Sequence, residues 1–169
     1  MKLIILGAGG HGQVVADLAR QTGRYEEVLF LDDKAEGADI VGTCADYVRF
    51  QNQDIEMYPA FGNNAGRIQW ENKILDAGIT LATIIHPLAY VSPRAEIAAG
   101  CVIMPYAVVN TGTILKKACI VNIGALVDHD CILEEGCHLA PGAVVKGENH
   151  LPEGTKVDSG QVVPLQYYK

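Results

Sequence analysis

From Val91 onward the chain carries an aliphatic side chain at every sixth position: Val91, Ile97, Ile103, Val109, Leu115, Val121, Val127, Leu133, Leu139, Val145, Leu151, Val157 and Val163. A lone strand alternates and a lone helix repeats over a shorter interval, so a strict period of six describes a short strand plus a turn, many times over. Four places after each aliphatic the residue is usually small: Ala95, Cys101, Ala107, Thr113, Cys119, Ala125, Cys131, Cys137 and Ala143, followed by Asn149, Thr155 and Gln161. Glycine recurs one place earlier, at Gly100, Gly112, Gly124, Gly136, Gly142, Gly154 and Gly160, where a left-handed turn conformation would favour it. These hexads predict a parallel β-helix over residues 87–169, with about four stacked coils burying a continuous core.

Residues 1–86 follow a different rhythm. Lys2–Leu6 reads as a buried strand, and the turn Gly7–Gly12 feeds a helix with Val14, Val15, Leu18 and Ala19 on its inner face. Val28–Leu31 is a second strand, Ile55–Phe61 a third, and Ile79–Ile85 a fourth, with a helix carrying Ile68, Ile74 and Leu75 before the last. That order predicts a parallel sheet with right-handed crossovers, half of a doubly wound, Rossmann-like α/β domain.

Composition narrows the field. Thirteen basic and twenty acidic residues give a formal charge of −7, which offers no basic field for nucleic acid or anionic lipid. The opening MKLIIL is too short for a secretory or membrane segment, so a cytoplasmic protein is expected. Four of the five cysteines fall in the small-residue column, which predicts compact core side chains rather than nucleophiles, disulfides or metal ligands.

Two segments carry candidate chemistry. Gly7, Gly9 and Gly12 form a GxGxxG pattern between a strand and a helix, with Asp32 about twenty residues on, the setting in which glycines bring backbone N–H groups to a diphosphate and an acid meets a ribose. With only one mononucleotide-sized half present, and His11 inside the loop, a nucleotide or nucleotide-sugar suits it better than a dinucleotide. Asn63 and Asn64, in a Gly-Asn-Asn turn after the third strand, border the same crevice, where Asn63 or Asn64 would serve equally well as a helix cap. In the repeats, His129 lies between Asp128 and Asp130, an imidazole with carboxylates to orient it, the minimum apparatus of a general base. His138, nine residues on, is expected on a neighbouring face near a shared edge with His129; His150 reads as a surface residue, and His86 as a brace where the halves join.

The segments GAGGHG (7–12), LDD (31–33), FGNN (61–64), IIHPLAYVSPRAEI (84–97), IMPYAVVNTG (103–112) and VDHDCILEEGCHLAPGA (127–143) resemble bacterial sugar O-acyltransferases of the sialic-acid O-acetyltransferase family, which includes N-acetyltransferases acting on UDP-4-amino-sugars. The resemblance implies a homotrimer of left-handed β-helices, a nucleotide-sugar such as a UDP-sugar held by the first domain, and acetyl-CoA as co-substrate between adjacent β-helices. It implies His129 as catalytic base with Asp130 as its partner, and His138 beside the thioester. Gly9, Gly10, His11, Gly12, Asp32, Asp33 and Asn63 would contact the sugar nucleotide, and a backbone N–H near Gly147 would face the oxyanion. Relatives continue for further hexads; here the repeat departs at Asn149 and Gln161 and the sequence ends Pro164–Lys169. A non-catalytic nucleotide-sugar-binding trimer is therefore an alternative expectation. A third is a metal hydratase of the γ-class carbonic anhydrase type, with His129, His138 and a histidine of another subunit as ligands.

Overall fold

A computed structural model describes residues 1–165; the expected C-terminal stretch is thus seen through Pro164 and Leu165, while 166–169 lie outside the described residues. The chain forms two compact units, divided between Ile84 and Ile85.

In the first unit, β1 (Lys2–Leu6), β2 (Glu27–Leu31), β3 (Ile55–Pro59) and β4 (Thr80–Leu81) form a parallel sheet in the order β2-β1-β3-β4. Leu3, Ile4, Ile5 and Leu6 are fully buried, as a strand covered on both faces requires. Helix α1 (Gly10–Gln21) follows β1, and α2 (Asn64–Asp76) follows β3. Because β2 and β3 flank β1 on opposite sides, the strand order reverses at β1, which puts the topological switch point, where ligands of such sheets bind, beyond the carboxyl ends of β1 and β3. Two expectations need correction. Val14 is 45% exposed, and α1 buries Gly12, Val15, Ala16, Leu18 and Ala19 instead. The run 79–85 is not one strand: β4 ends at Leu81, and β5 (Ile84–Ile85) begins the array of short strands that follows.

That array continues as β6 (Tyr90–Val91), β7 (Glu96–Ile97), β8 (Val102–Ile103), β9 (Val108–Val109), β10 (Ile114–Leu115), β11 (Ile120–Val121), β12 (Leu126–Val127), β13 (Ile132–Leu133), β14 (His138–Leu139), β15 (Val144–Val145), β16 (His150–Leu151), β17 (Lys156–Val157) and β18 (Val162–Val163). Paired strands are parallel and eighteen residues apart, as in Ile114 with Ile132, Ile120 with His138 and Leu126 with Val144. Three hexads therefore make one coil, and the coils stack into three sheets: β7-β10-β13-β16, β5-β8-β11-β14-β17 and β6-β9-β12-β15-β18. The hexads persist past Asn149 and Gln161, through β16, β17 and β18. The inner column, Ile103 to Val157, is buried with the small column against it, each fully buried aliphatic contributing about 1.5–3 kcal/mol.

All seven glycines singled out by the repeat have φ between +62° and +79°. In the other hexads this left-handed corner is filled by Tyr106, Ala118, Asp130 and Glu148. The small column also hydrogen-bonds. Cys101, Thr113, Cys119, Cys131, Cys137 and Asn149 each donate to the backbone carbonyl fifteen residues on, at Lys116, Asp128, Glu134, Lys146, Pro152 and Pro164. Hydrogen bonding along the cysteine column, together with burial, holds the Cys119 and Cys137 thiols above their ordinary value. These cysteines are core donors in the thiol state. Among the described residues no helix is long and apolar enough to cross a membrane.

Candidate functional site

Each unit places its candidate residues separately. In the first, Gly7 has φ +97°, and a Cβ on Gly12 would stand 2.0 Å from the Gly7 carbonyl oxygen, so both are dictated by the tight strand-to-helix turn. Gly9 and Gly10 are different. A Cβ on either would meet nothing within 4 Å, and Gly9 caps α1 without a side-chain hydrogen bond. What these two leave is open backbone at a helix N-terminus, the arrangement suited to an anionic group.

Asp32 fastens this loop: its Oδ2 accepts the Ala8 N–H at 2.7 Å, and its Oδ1 accepts the Lys34 and Ala35 N–H groups at 2.8 Å each. Those donors, Ala8 foremost, hold its carboxyl below the usual range. Asp33 Oδ1 accepts the Cys44 N–H at 2.9 Å, opening the short helical turn Cys44–Phe50. Asn63 caps α2, its Oδ1 accepting the Gly66 N–H at 2.7 Å.

His11 lies on the first turn of α1, its ring 6.3 Å from that of Tyr58. Burial, reinforced by the Arg67 guanidinium, lowers its pKa to about 4, so the ring is neutral near pH 7. Arg67 is fully buried and donates to the Phe61 carbonyl and to Asn64 Oδ1, both at 3.0 Å. Sequence reasoning passed over it. Its signal was the spacing Arg67, Glu71, Ile74 on one buried face of α2, which a hydrophobic count misses because two of the three are charged.

In the second unit, the corner between β12 and β13 carries Asp128, His129 and Asp130. His129 Nδ1 lies 2.9 Å from Asp130 Oδ2; in the neutral ring Nδ1–H donates there and Nε2 keeps its lone pair. That hydrogen bond, with the charges of Asp128, Asp130 and Glu148 adding to it, raises the His129 pKa above its ordinary value. Asp128 accepts the His129 N–H at 2.8 Å and the Asn110 amide at 3.1 Å. The His129 N–H chiefly, helped by Asn110 and the Gly147 N–H, keeps Asp128 ionised.

Two glycines of adjacent coils make room for this pair. A Cβ on Gly112 would lie 2.1 Å from Asp130 Oδ1, and one on Gly147 would lie 2.7 Å from His129 Nε2. Asp130 itself has φ +54°, at a corner where the flanking hexads use Gly124 and Gly136. Aspartate tolerates that left-handed conformation better than most side chains, so this corner can carry a carboxylate where its neighbours carry glycine. A cavity of about 400 Å³ opens beside the ring, lined by Asp128, His129, Lys146, Gly147, Pro164 and Leu165. Next to it runs an apolar groove of about 360 Å³ along Val108, Leu126 and Val144.

His138 is elsewhere. It stands on β14, half-buried, with Asn122 Nδ2 3.4 Å from its Nε2. His129 occupies the edge between the β6-β9-β12-β15-β18 and β7-β10-β13-β16 sheets, whereas His138 projects from the third sheet, opposite that edge. The expectation of a shared edge is therefore wrong within a single chain: one face of the prism separates the two. His150 is exposed and pairs with Glu134 at 2.7 Å, and His86 accepts the Leu88 N–H at 3.0 Å. Among the described residues, no three His, Cys, Asp or Glu side chains are grouped to hold a metal ion.

The first unit is a Rossmann-like half domain with an open glycine loop, and the second is a stack of hexapeptide coils that presents a histidine–carboxylate pair. Residues 2–74 match the PglD N-terminal domain. The acetyltransferase domain of PglB from Neisseria gonorrhoeae, solved in complex with acetyl coenzyme A, superposes with a TM-score of 0.92 at 40% identity, over 95% of this chain and 80% of that one. A variant of perosamine N-acetyltransferase from Caulobacter crescentus, in complex with CoA and GDP-perosamine, gives 0.89 at 28% identity, over 97% and 89%. WeeI from Acinetobacter baumannii shares the fold, at a TM-score of 0.76, 20% identity and coverage of 97% and 92%. The chain belongs to the sugar acetyltransferases of the hexapeptide-repeat family.

Proposed function

We propose that this protein transfers the acetyl group of acetyl-CoA to the amine of a nucleotide-activated amino sugar in surface glycan synthesis, with His129 as general base. The observation that carries this reading is the His129–Asp130 pair, seated between Gly112 and Gly147 at the rim of the 400 Å³ cavity. Asp130 fixes the tautomer, so Nε2 takes the amine proton as nitrogen attacks the thioester carbonyl. The new C–N bond forms, the C–S bond breaks, and the imidazolium returns its proton to the departing thiolate. A backbone N–H near Gly147, at the rim of the cavity, would face the oxyanion.

In the first unit, the open backbone at Gly9 and Gly10 suits the diphosphate, with Gly12 setting the turn and neutral His11 beside it. Asp32, Asp33 and Asn63 already serve the loops that border the crevice, and their remaining lone pairs are available to a ribose or base. A UDP-sugar is the proposed substrate. His138 is assigned to the acetyl-thioester. Because His129 and His138 lie on opposite parts of one prism, a cleft that uses both needs a second copy, and three copies in cyclic arrangement would complete three such clefts. Acetyl-CoA and sugar nucleotides are cytoplasmic metabolites, which supports a cytoplasmic location as part of this reading.

Calorimetric titration tests this reading. Acetyl-CoA, with or without UDP-N-acetylglucosamine as a stand-in for the sugar nucleotide, is expected to bind saturably at about one site per subunit. Binding of the sugar nucleotide alone, with no heat from acetyl-CoA, would replace the enzyme with a non-catalytic nucleotide-sugar-binding trimer.

A further inference from the structure

Asn149 stands in the small column one coil after Cys131, in a place filled elsewhere by alanine, cysteine or threonine and, in the last hexad, by Gln161. It is 1% exposed, and its Nδ2 donates to two backbone carbonyls, of Lys146 at 2.7 Å and of Pro164 at 3.0 Å. Both acceptors are carbonyl oxygens, so the orientation of the amide is fixed by chemistry. Its Oδ1 is buried with no hydrogen-bond partner among the described residues. An orphaned buried acceptor is destabilising. A thiol or hydroxyl would make the coil-to-coil bond without that burden, as Cys131 does to Lys146 and Thr113 to Asp128. Packing alone therefore does not account for an asparagine here.

What asparagine adds is a second donor. Lys146 and Pro164 both line the cavity beside His129, and Gly147, on which the imidazole lies, follows Lys146 directly. One amide thus ties the wall behind His129 to the wall contributed by the next coil. We infer that Asn149 is a positioning residue of the acetyl-transfer site, setting the corner 146–147 against the His129 ring. This rests on the reading of His129 as the base.

The test uses Asn149→Cys and Asn149→Thr, each keeping one donor at a residue type the column already accepts. Melting temperature, kcat, the KM for each substrate and the His129 ring resonance, assigned with His129→Ala, are compared with the unaltered protein. The expected result is a melting temperature equal or higher and both KM values within about twofold. With these, kcat falls by about tenfold and the His129 resonance shifts, because small misplacements at a reacting centre are costly. Unchanged kcat in both variants overturns the inference, as does a fall in kcat that tracks a fall in melting temperature. If the unaltered protein transfers no acetyl group, the reading of His129 as base fails separately. The resonance then decides alone: moved, the positioning stands; unmoved in both variants, it does not.

Discussion

Replacing His129 with alanine is expected to lower kcat by about 10²-fold or more, the usual weight of a positioned general base. The side chain is 44% exposed, and its hydrogen-bond partner is exposed too, so the melting temperature should barely move. The pH profile gives the loss its cause. A base works neutral, so activity rises with pH through its pKa, and the raised pKa of His129 sets the acid limb of that rise. Asp130→Asn removes the hydrogen-bonding carboxylate that does most of the raising. The acid limb is therefore expected to shift to lower pH, with a lower plateau because the imidazole is less basic. Single-turnover rates across pH check both variants; full activity in His129→Ala would show that the proton goes elsewhere.

The β-helix was legible because its period is intrinsic to each hexad: an inward aliphatic, a left-handed corner and a small side chain recur without reference to anything distant. The number of hexads per coil was not, because it lives in pairing such as Ile114 with Ile132, which no single hexad encodes. The same limit explains the misread start. Ile85 keeps the period of six, yet an apolar run before it, from Ile79, reads equally well as one continuous strand. Val14 failed for another reason: beside Val15, hydrophobicity alone does not say which faces the sheet, and helix phase turns Val15 inward.

At the proposed sites, the residues assigned to chemistry were legible and those that seat them were not. His129 and Asp130 are adjacent in sequence, so their pairing needed no fold. Gly112 lies eighteen residues before Asp130 and Gly147 eighteen after His129, one coil in each direction, and their meaning emerges only once the coil length is known. Asn149, one coil after Cys131, looked like decay of the repeat because it breaks the rule of small apolar or thiol side chains. In the first unit, neutral His11 depends on burial and on Arg67, fifty-six residues away in sequence, an electrostatic relation that local pattern does not carry.

Gly147→Ala isolates the seating of the base from its chemistry. The new methyl would stand 2.7 Å from Nε2, 2.9 Å from Cε1 and 3.1 Å from Cδ2 of His129, so the whole ring edge must move. Gly147 is not among the glycines with positive φ, so its backbone accepts alanine without strain. The ring is half exposed and free to swing outward, which spares the fold; losing a glycine from the unfolded chain adds up to about 1 kcal/mol of stability. The displaced ring loses its line to Asp130 or its place at the cavity, and kcat is expected to fall by about 10²-fold, as misplacement of a reacting group by about 1 Å commonly does. Melting temperature and kcat measured on the same preparation check this. An alanine variant as active as the unaltered protein would mean that His129 works from a position other than the one it occupies over Gly147.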